Sequence, residues 1–210
     1  MNKHRMPMSA PMIRAIQREI EQPGTGKTMT RRLVKPQPLW VYANRVPVKT
    51  HDADLNGVIK SPYGRPGDLL AFTETFGSYG SYSPPGKSWE FSEIVYRADA
   101  GDKAPDRWRP PMFMPYWVSR YTGLITDVRV ERLQDITSAN VKSEGVRLTG
   151  KYQFLDDADN DVAEFADLWE SIHGPVSWEA NPWVWVYTFR PIAANVLDVE
   201  REPERYGVAC

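Results

Sequence analysis

Apolar residues recur along the chain with two different spacings, and each spacing predicts a different element. Met12, Ile16 and Ile20 repeat every fourth position with Ile13 beside them, while Arg14, Arg18 and Glu19 lie off the stripe. That is one face of a helix. Ser9 can cap it, Pro11 suits its first turn, and Pro23-Gly24 ends it. Val162, Phe165, Ala166, Trp169 and Ile172 mark a second amphipathic helix, closed by His173-Gly174-Pro175. A short third helix follows Thr137 as cap, with Ile136 and Val141 placed as a hydrophobic staple, Glu144 near its end and Gly145 as its stop.

The other spacing has a period of two. Within the run Trp117–Leu133, Leu124, Thr126, Val128 and Val130 alternate with Ile125, Asp127, Arg129 and Glu131. The second set is mostly charged, so one strand face is packed and the other wet. Leu69 to Phe76 reads as one strand whose first half is apolar throughout, and Trp183 to Phe189 as a last, aromatic-rich strand. Ile94 to Ala98 is a short strand, and Leu33-Val34 begins one that Pro36 and Pro38 interrupt.

Between these elements the chain reads as loop. Residues 1–8 are expected as a mobile arm, 43–66 as a polar, turn-rich stretch containing His51, and 77–90 as a long loop carrying Tyr79, Tyr82 and Trp89. Those aromatics either pin the loop to its own domain or stack on a base. Residues 99–116 form another loop, 147–160 a polar linker and 193–210 a loose tail. No internal repeat is visible.

Composition narrows the function. The 210 residues, 41% hydrophobic, suffice for one sizeable core. A net charge of −1 and a pI near 6.3 argue against a broad electrostatic grip on duplex nucleic acid, though not against a local basic site. One terminal cysteine, Cys210, excludes a disulfide framework and a thiolate zinc site. His4, His51 and His173 lack metal-ligand spacing, so neither metal nor cofactor is expected. No long apolar run or signal segment appears, and the expected location is cytoplasmic.

The chemistry concentrates in Gly24-Thr25-Gly26-Lys27-Thr28-Met29-Thr30-Arg31-Arg32. A phosphate loop would need a glycine at position 21, which is Glu21, and a preceding strand rather than a helix. What remains is a lysine, a threonine three residues on, and two arginines. If the segment turns helically, Lys27 and Thr30 share a face. Away from this turn, Phe72, Glu74 and Phe76 share a strand face by the period of two, which puts Glu74 either at a sheet margin or in a pocket. Glu144, at a helix C-terminus, meets the negative end of the dipole, which favours its protonated form. His173 reads as a helix-terminal residue stabilised by the same dipole.

Taken in order, these segments resemble the ASCH domain, whose fold is related to the PUA RNA-binding domain. The likeness is closest to the longer phage and prophage-type members. It rests on Ser9-Ala10-Pro11-Met12, Arg31-Arg32-Leu33-Val34-Lys35-Pro36, Val130-Glu131-Arg132-Leu133-Gln134-Asp135-Ile136 and Asn181-Pro182-Trp183-Val184-Trp185. It covers roughly residues 8–36, 66–76, 117–146 and 162–192.

The resemblance implies an α+β fold: a small PUA-like β-barrel flanked by helices, forming one domain over residues 1–210. Its core would run from about 8 to 192, with loop insertions at about 40–66 and 77–116. It also implies an amidohydrolase that removes acyl groups from the exocyclic amine of cytidine nucleosides, with Lys27, Thr30 and Glu144 catalytic. Arg32, Arg31 and Glu74 are then the expected substrate-binding residues. The expected partner is a modified cytidine nucleoside. The alternative is a module that binds single-stranded RNA or a modified base without chemistry.

Overall fold

The computed structural model describes residues 1–37, 60–79, 93–101, 104–105, 107–152 and 154–208. The fold is α+β, with one five-stranded and one two-stranded sheet. The large sheet contains β1 (Lys3–Pro7), β2 (Met29–Leu33), β3 (Leu69–Thr73), β6 (Thr122–Arg132) and β7 (Trp183–Ile192). The small one pairs β4 (Phe76–Tyr79) with β5 (Glu93–Tyr96). Among the described residues four α-helices accompany them: α1 (Ala10–Glu21), α2 (Ser138–Ser143), α3 (Asp157–His173) and α4 (Val196–Arg201).

The strand order is β1-β3-β6-β7-β2. The β1–β3 pair is parallel and every other pair in the sheet is antiparallel. β1 and β2 stand at the two edges, and no pairing joins them among the described residues, so a closed barrel is not seen there.

Side-chain alternation sends successive residues of each strand to opposite faces. Leu70, Phe72, Val128, Val130, Trp185, Tyr187 and Phe189 pack with Ile13 and Ile16 of α1 on one side. Met29, Val184 and Val186 pack on the other against Val141 of α2 and Phe165 and Trp169 of α3. Leu69, Ala71 and Ile192 complete that second face against Val196 and Val199 of α4.

The helices start and stop where their residues direct. Pro11 sits in the first turn of α1, although the Ser9 side chain makes no capping bond. The Thr137 hydroxyl accepts from the Asn140 N–H at the start of α2, and Ile136 and Val141 lie in one cluster, as a staple requires. Gly145 has φ +73°, the left-handed stop expected after Glu144.

Five sequence expectations are corrected. Residues 1–8 are no arm: β1 pairs along its whole length with β3, and Met6 and Met8 are buried. The tail forms α4 and a further turn, anchored by Val196, Val199 and Val208. In both cases the apolar residues are too few and too close together to show a period.

The run Leu69–Phe76 breaks after Thr73, and Phe72 and Phe76 belong to different clusters. Glu74 therefore shares no strand face with them. In β6, a bulge between Ile125 and Asp127 resets the alternation. Ile125 joins Val128 and Val130 in the core, and Thr126 is exposed. Lastly, the segment after Lys27 is not helical, and β2 begins at Met29 rather than Leu33. Its two arginines disguise it, because charged residues are rarely buried in a sheet and Arg31 is buried only with Glu144 and Glu131 as partners. His51, Tyr82 and Trp89 lie outside the described residues, as do most of the loops expected at 43–66 and 77–90.

One contact sets the position of everything near Lys27. The Lys27 N–H donates to the Ala15 carbonyl of α1 at 3.0 Å, and Lys27 forms a β-bridge with Glu144. Gly26 makes this approach possible: a Cβ there would stand 2.3 Å from both the Ala15 carbonyl oxygen and the Glu19 amide nitrogen. Gly26→Ala is therefore expected to destabilise the chain by about 2–3 kcal/mol, read as a lower denaturant midpoint. A midpoint equal to wild type would mean that the approach is not obligatory.

Candidate active site

The Gly24-Thr25-Gly26 loop is shaped from within. The Glu19 carboxylate of α1 accepts from the Gly24 N–H and, at 2.8 Å, from the Gly26 N–H. These amides bond to the protein's own carboxylate, so the loop is not a phosphate cradle. It delivers Lys27 to the interior beneath α1, where only 1% of the residue is exposed.

Lys27 Nζ donates to the Glu144 carbonyl oxygen at 2.8 Å and to Glu144 Oε2 at 2.7 Å. The other carboxylate oxygen, Oε1, accepts from Arg31 Nη1 at 3.1 Å. Arg31 in turn donates through Nη2 to Glu131 Oε1 at 2.5 Å and to Asn140 Oδ1 at 3.3 Å. Arg129 on β6 closes the chain by donating to Glu131 Oε2 at 3.0 Å. Positive and negative groups thus alternate from Lys27, just before β2, through Arg31 on β2 and Glu144 at the end of α2 to Glu131 and Arg129 on β6.

Burial pulls the Lys27 ammonium toward deprotonation, below its ordinary range. Glu144 opposes that pull, and Arg32 and Arg31 reinforce it. The environment of Glu144 is thus set by two cations more than by the end of a six-residue helix.

Lys27, Thr30, Arg31, Arg32 and Glu144 all line one cavity of about 710 Å³ between α1 and α3. Thr30 is 1% exposed, and among the described residues its hydroxyl has no hydrogen-bond partner. Thr30 and Arg32 face the same side of β2 as Tyr187 and Trp185, whereas Arg31 faces the other. Arg32 Nη2 donates to the Pro7 carbonyl at 2.7 Å.

Two expected binding residues are thereby redefined. Arg31 spends its guanidinium on Glu144, Glu131 and Asn140 and holds the site together. Glu74 is not a lining residue of the cavity; it is buried elsewhere, accepting from Arg120 at 2.8 Å. Burial raises the Glu74 carboxyl above its ordinary range, and the Arg120 partner opposes the rise.

No protein-family model, curated protein or solved structure matches the chain. No helix among the described residues is long and apolar enough to cross a membrane, and no group of three or more potential metal ligands occurs among them.

Several contributors escaped the sequence reading. By alternation Glu131 belongs to the wet face of its strand, yet it bonds Arg31, a contact set by the β6–β7–β2 register. Asn140 shows no signal within a polar helix turn. Trp169 and His173 are four apart on α3 and stack at 4.1 Å between ring centroids, forming part of the cavity wall. Burial, with Arg32 and Lys35 nearby, lowers the His173 pKa, so the helix dipole does not govern it.

The depressed Lys27 pKa makes stability depend on pH. In the unfolded chain the lysine titrates near 10.5. Between the lower folded value and 10.5, the unfolded chain holds a proton that the folded chain has released. Stability contributed by this group therefore rises with pH across that window and is lost as pH falls through the folded value. Lys27→Met removes the effect, leaving Glu144 paired with Arg31. Urea unfolding of both proteins at a series of alkaline pH values is expected to show a steeper rise for wild type; parallel curves would contradict the depressed pKa.

Proposed function

We propose that the chain is an amidohydrolase of the ASCH, PUA-like type, removing an acyl group from the exocyclic N4 amine of a cytidine-type nucleoside. One observation carries this reading. Lys27 and Glu144, 117 positions apart, are in direct contact at the wall of a cavity that Thr30 also lines. The cavity's size falls within the roughly 300–1,000 Å³ usual for small-molecule sites.

Hydrolysis forms a bond from a water oxygen to the acyl carbon and breaks the bond from that carbon to N4. The water gives up a proton, and the leaving amine takes one. The Glu144 carboxylate, held by Lys27 and Arg31, is the proton carrier. It takes the proton from water and returns it to N4. Two donors of the Lys27 ammonium are engaged by Glu144, and the third is free to meet the oxyanion on the acyl carbon. The unpartnered Thr30 hydroxyl positions the water. In the variant route Thr30 attacks directly and a neutral Lys27 accepts its proton, which the depressed lysine pKa also suits.

A binding module for RNA or a modified base is the second reading, and the excess of cationic side chains in the cavity wall favours it. Absorbance during incubation with N4-acetylcytidine separates the two, since only the enzyme releases cytidine. Lys27→Ala and Glu144→Gln are each expected to lower kcat/KM by about 10²–10⁴-fold. Thr30→Ser keeps activity and Thr30→Ala loses it. Full activity in Lys27→Ala would overturn the reading, as would a wild-type protein that binds but never turns over.

A further inference from the structure

The charge on the cavity wall is lopsided. Arg14, Arg18, Lys27, Arg31, Arg32 and Arg147 line it against two carboxylates, Glu144 and Glu164, in a chain whose net charge is −1. Both carboxylates are already committed. Glu144 holds Lys27 and Arg31, and Glu164 accepts from the Thr149 and Lys151 backbone N–H groups at 2.8 Å. Lys27 and Arg31 are therefore balanced, whereas the other four cations form no ion pair among the described residues; Asp99 lies near enough to act on Arg14, and Glu144 on Arg32. Among the described residues, Arg14 and Arg18 donate to the carbonyls of Ala98, Thr25 and Gly145.

Arg32 is the one of the four that stands in β2 beside Thr30, and burial opposes its charge while Glu144 partly offsets that. Among the described residues it has no carboxylate in bonding contact, and its buried Nε has no hydrogen-bond partner. Its charge and that of Lys35 both act on His173. That histidine, with Trp169, belongs to the walls of two cavities: the one already described, and a second of about 330 Å³ lined also by Lys35, Gln37 and Ser177. Polar atoms at this junction lack partners as well. Trp169 is 4% exposed with an unbonded indole N–H, and the buried Ser177 hydroxyl is unbonded. Cations outside any ion pair together with orphaned donors fit an anion with several acceptor oxygens.

We infer that the paired cavities hold a phosphate ester, with Arg32, Lys35, His173 and Ser177 around the phosphate and the base on the Lys27–Glu144 side. The substrate is then a nucleotide or a nucleotide unit of a strand, not a free nucleoside. The inference deepens the deacylase reading in naming the substrate, but the anion site stands or falls by binding alone.

Calorimetric titration of the wild-type chain tests it with two matched pairs: cytidine against cytidine 5′-monophosphate, and adenosine against adenosine 5′-monophosphate. Each monophosphate is expected to bind about tenfold or more tightly than its nucleoside, with an advantage that shrinks as salt rises. Lys35→Ala, at an exposed position, is expected to reduce that advantage by about threefold. A cytidine dinucleotide distinguishes the source of the phosphate. If it binds as tightly as the monophosphate, a strand phosphodiester fits the site; if it binds like cytidine, only a terminal phosphate does. Because the adenosine pair carries no acylated cytosine, a phosphate advantage there supports the anion site even if N4-acetylcytidine is never cleaved. Equal affinities within both pairs would overturn the inference and leave the deacylase reading untouched.

Discussion

A lysine with 1% of its surface exposed, bonded to a glutamate from a distant segment, is the constraint around which this structure is built. A buried charge is tolerated only when paired and hydrogen-bonded, and removing one member of such a pair costs about 3–5 kcal/mol. The surrounding architecture meets that requirement. Gly26 lets the chain pass against α1, Gly145 turns α2 off at the right residue, and the β-bridge between Lys27 and Glu144 fixes their backbones. Gly145 is also closely fitted, since a Cβ there would lie 2.7 Å from the Cβ atoms of Ala15 and Lys27.

The pair does not stand alone. Arg31 ties Glu144 to Glu131, and Arg129 ties Glu131 to the rest of β6. Such a chain of opposite charges fixes each side chain through its neighbours, which is what an acid–base site needs before substrate arrives. The energy of the arrangement is directed at geometry, because buried ion pairs add little net stability over apolar residues of the same shape. That cost is reasonable where proton transfer is the task. It also explains why a basic, polar stretch such as Met29-Thr30-Arg31-Arg32-Leu33 forms an edge strand of the sheet.

Much of the fold was legible from spacing. α1, α3 and β7 show in the recurrence of their apolar residues, and α2 in its cap and its glycine stop. The site residues Lys27, Thr30 and Glu144 were marked by resemblance, and they do line one cavity. What stayed hidden was tertiary in origin. β1 shows one buried apolar residue, Met6, with Met8 just beyond it, and β2 is disguised by Arg31, whose partners Glu144 and Glu131 lie 113 and 100 positions away. The bulge in β6 reverses a phase that looked regular, and Glu131 is revealed only by strand register. Glu74 lies away from the cavity, bonded to Arg120, and the strand expected to reach Phe76 ends three residues earlier at Thr73.

The central claim is that the Lys27–Glu144 contact is the place where an acyl group is attacked. A crystal structure of the Glu144→Gln variant with N4-acetylcytidine tests it most directly, because the variant retains the cavity while lacking the proton carrier. The account predicts an acetyl carbonyl oxygen within hydrogen-bond reach of Lys27 Nζ and the Thr30 hydroxyl beside the acyl carbon. A ligand bound with its acetyl group away from Lys27, or a cavity left empty at saturating concentration, would contradict it.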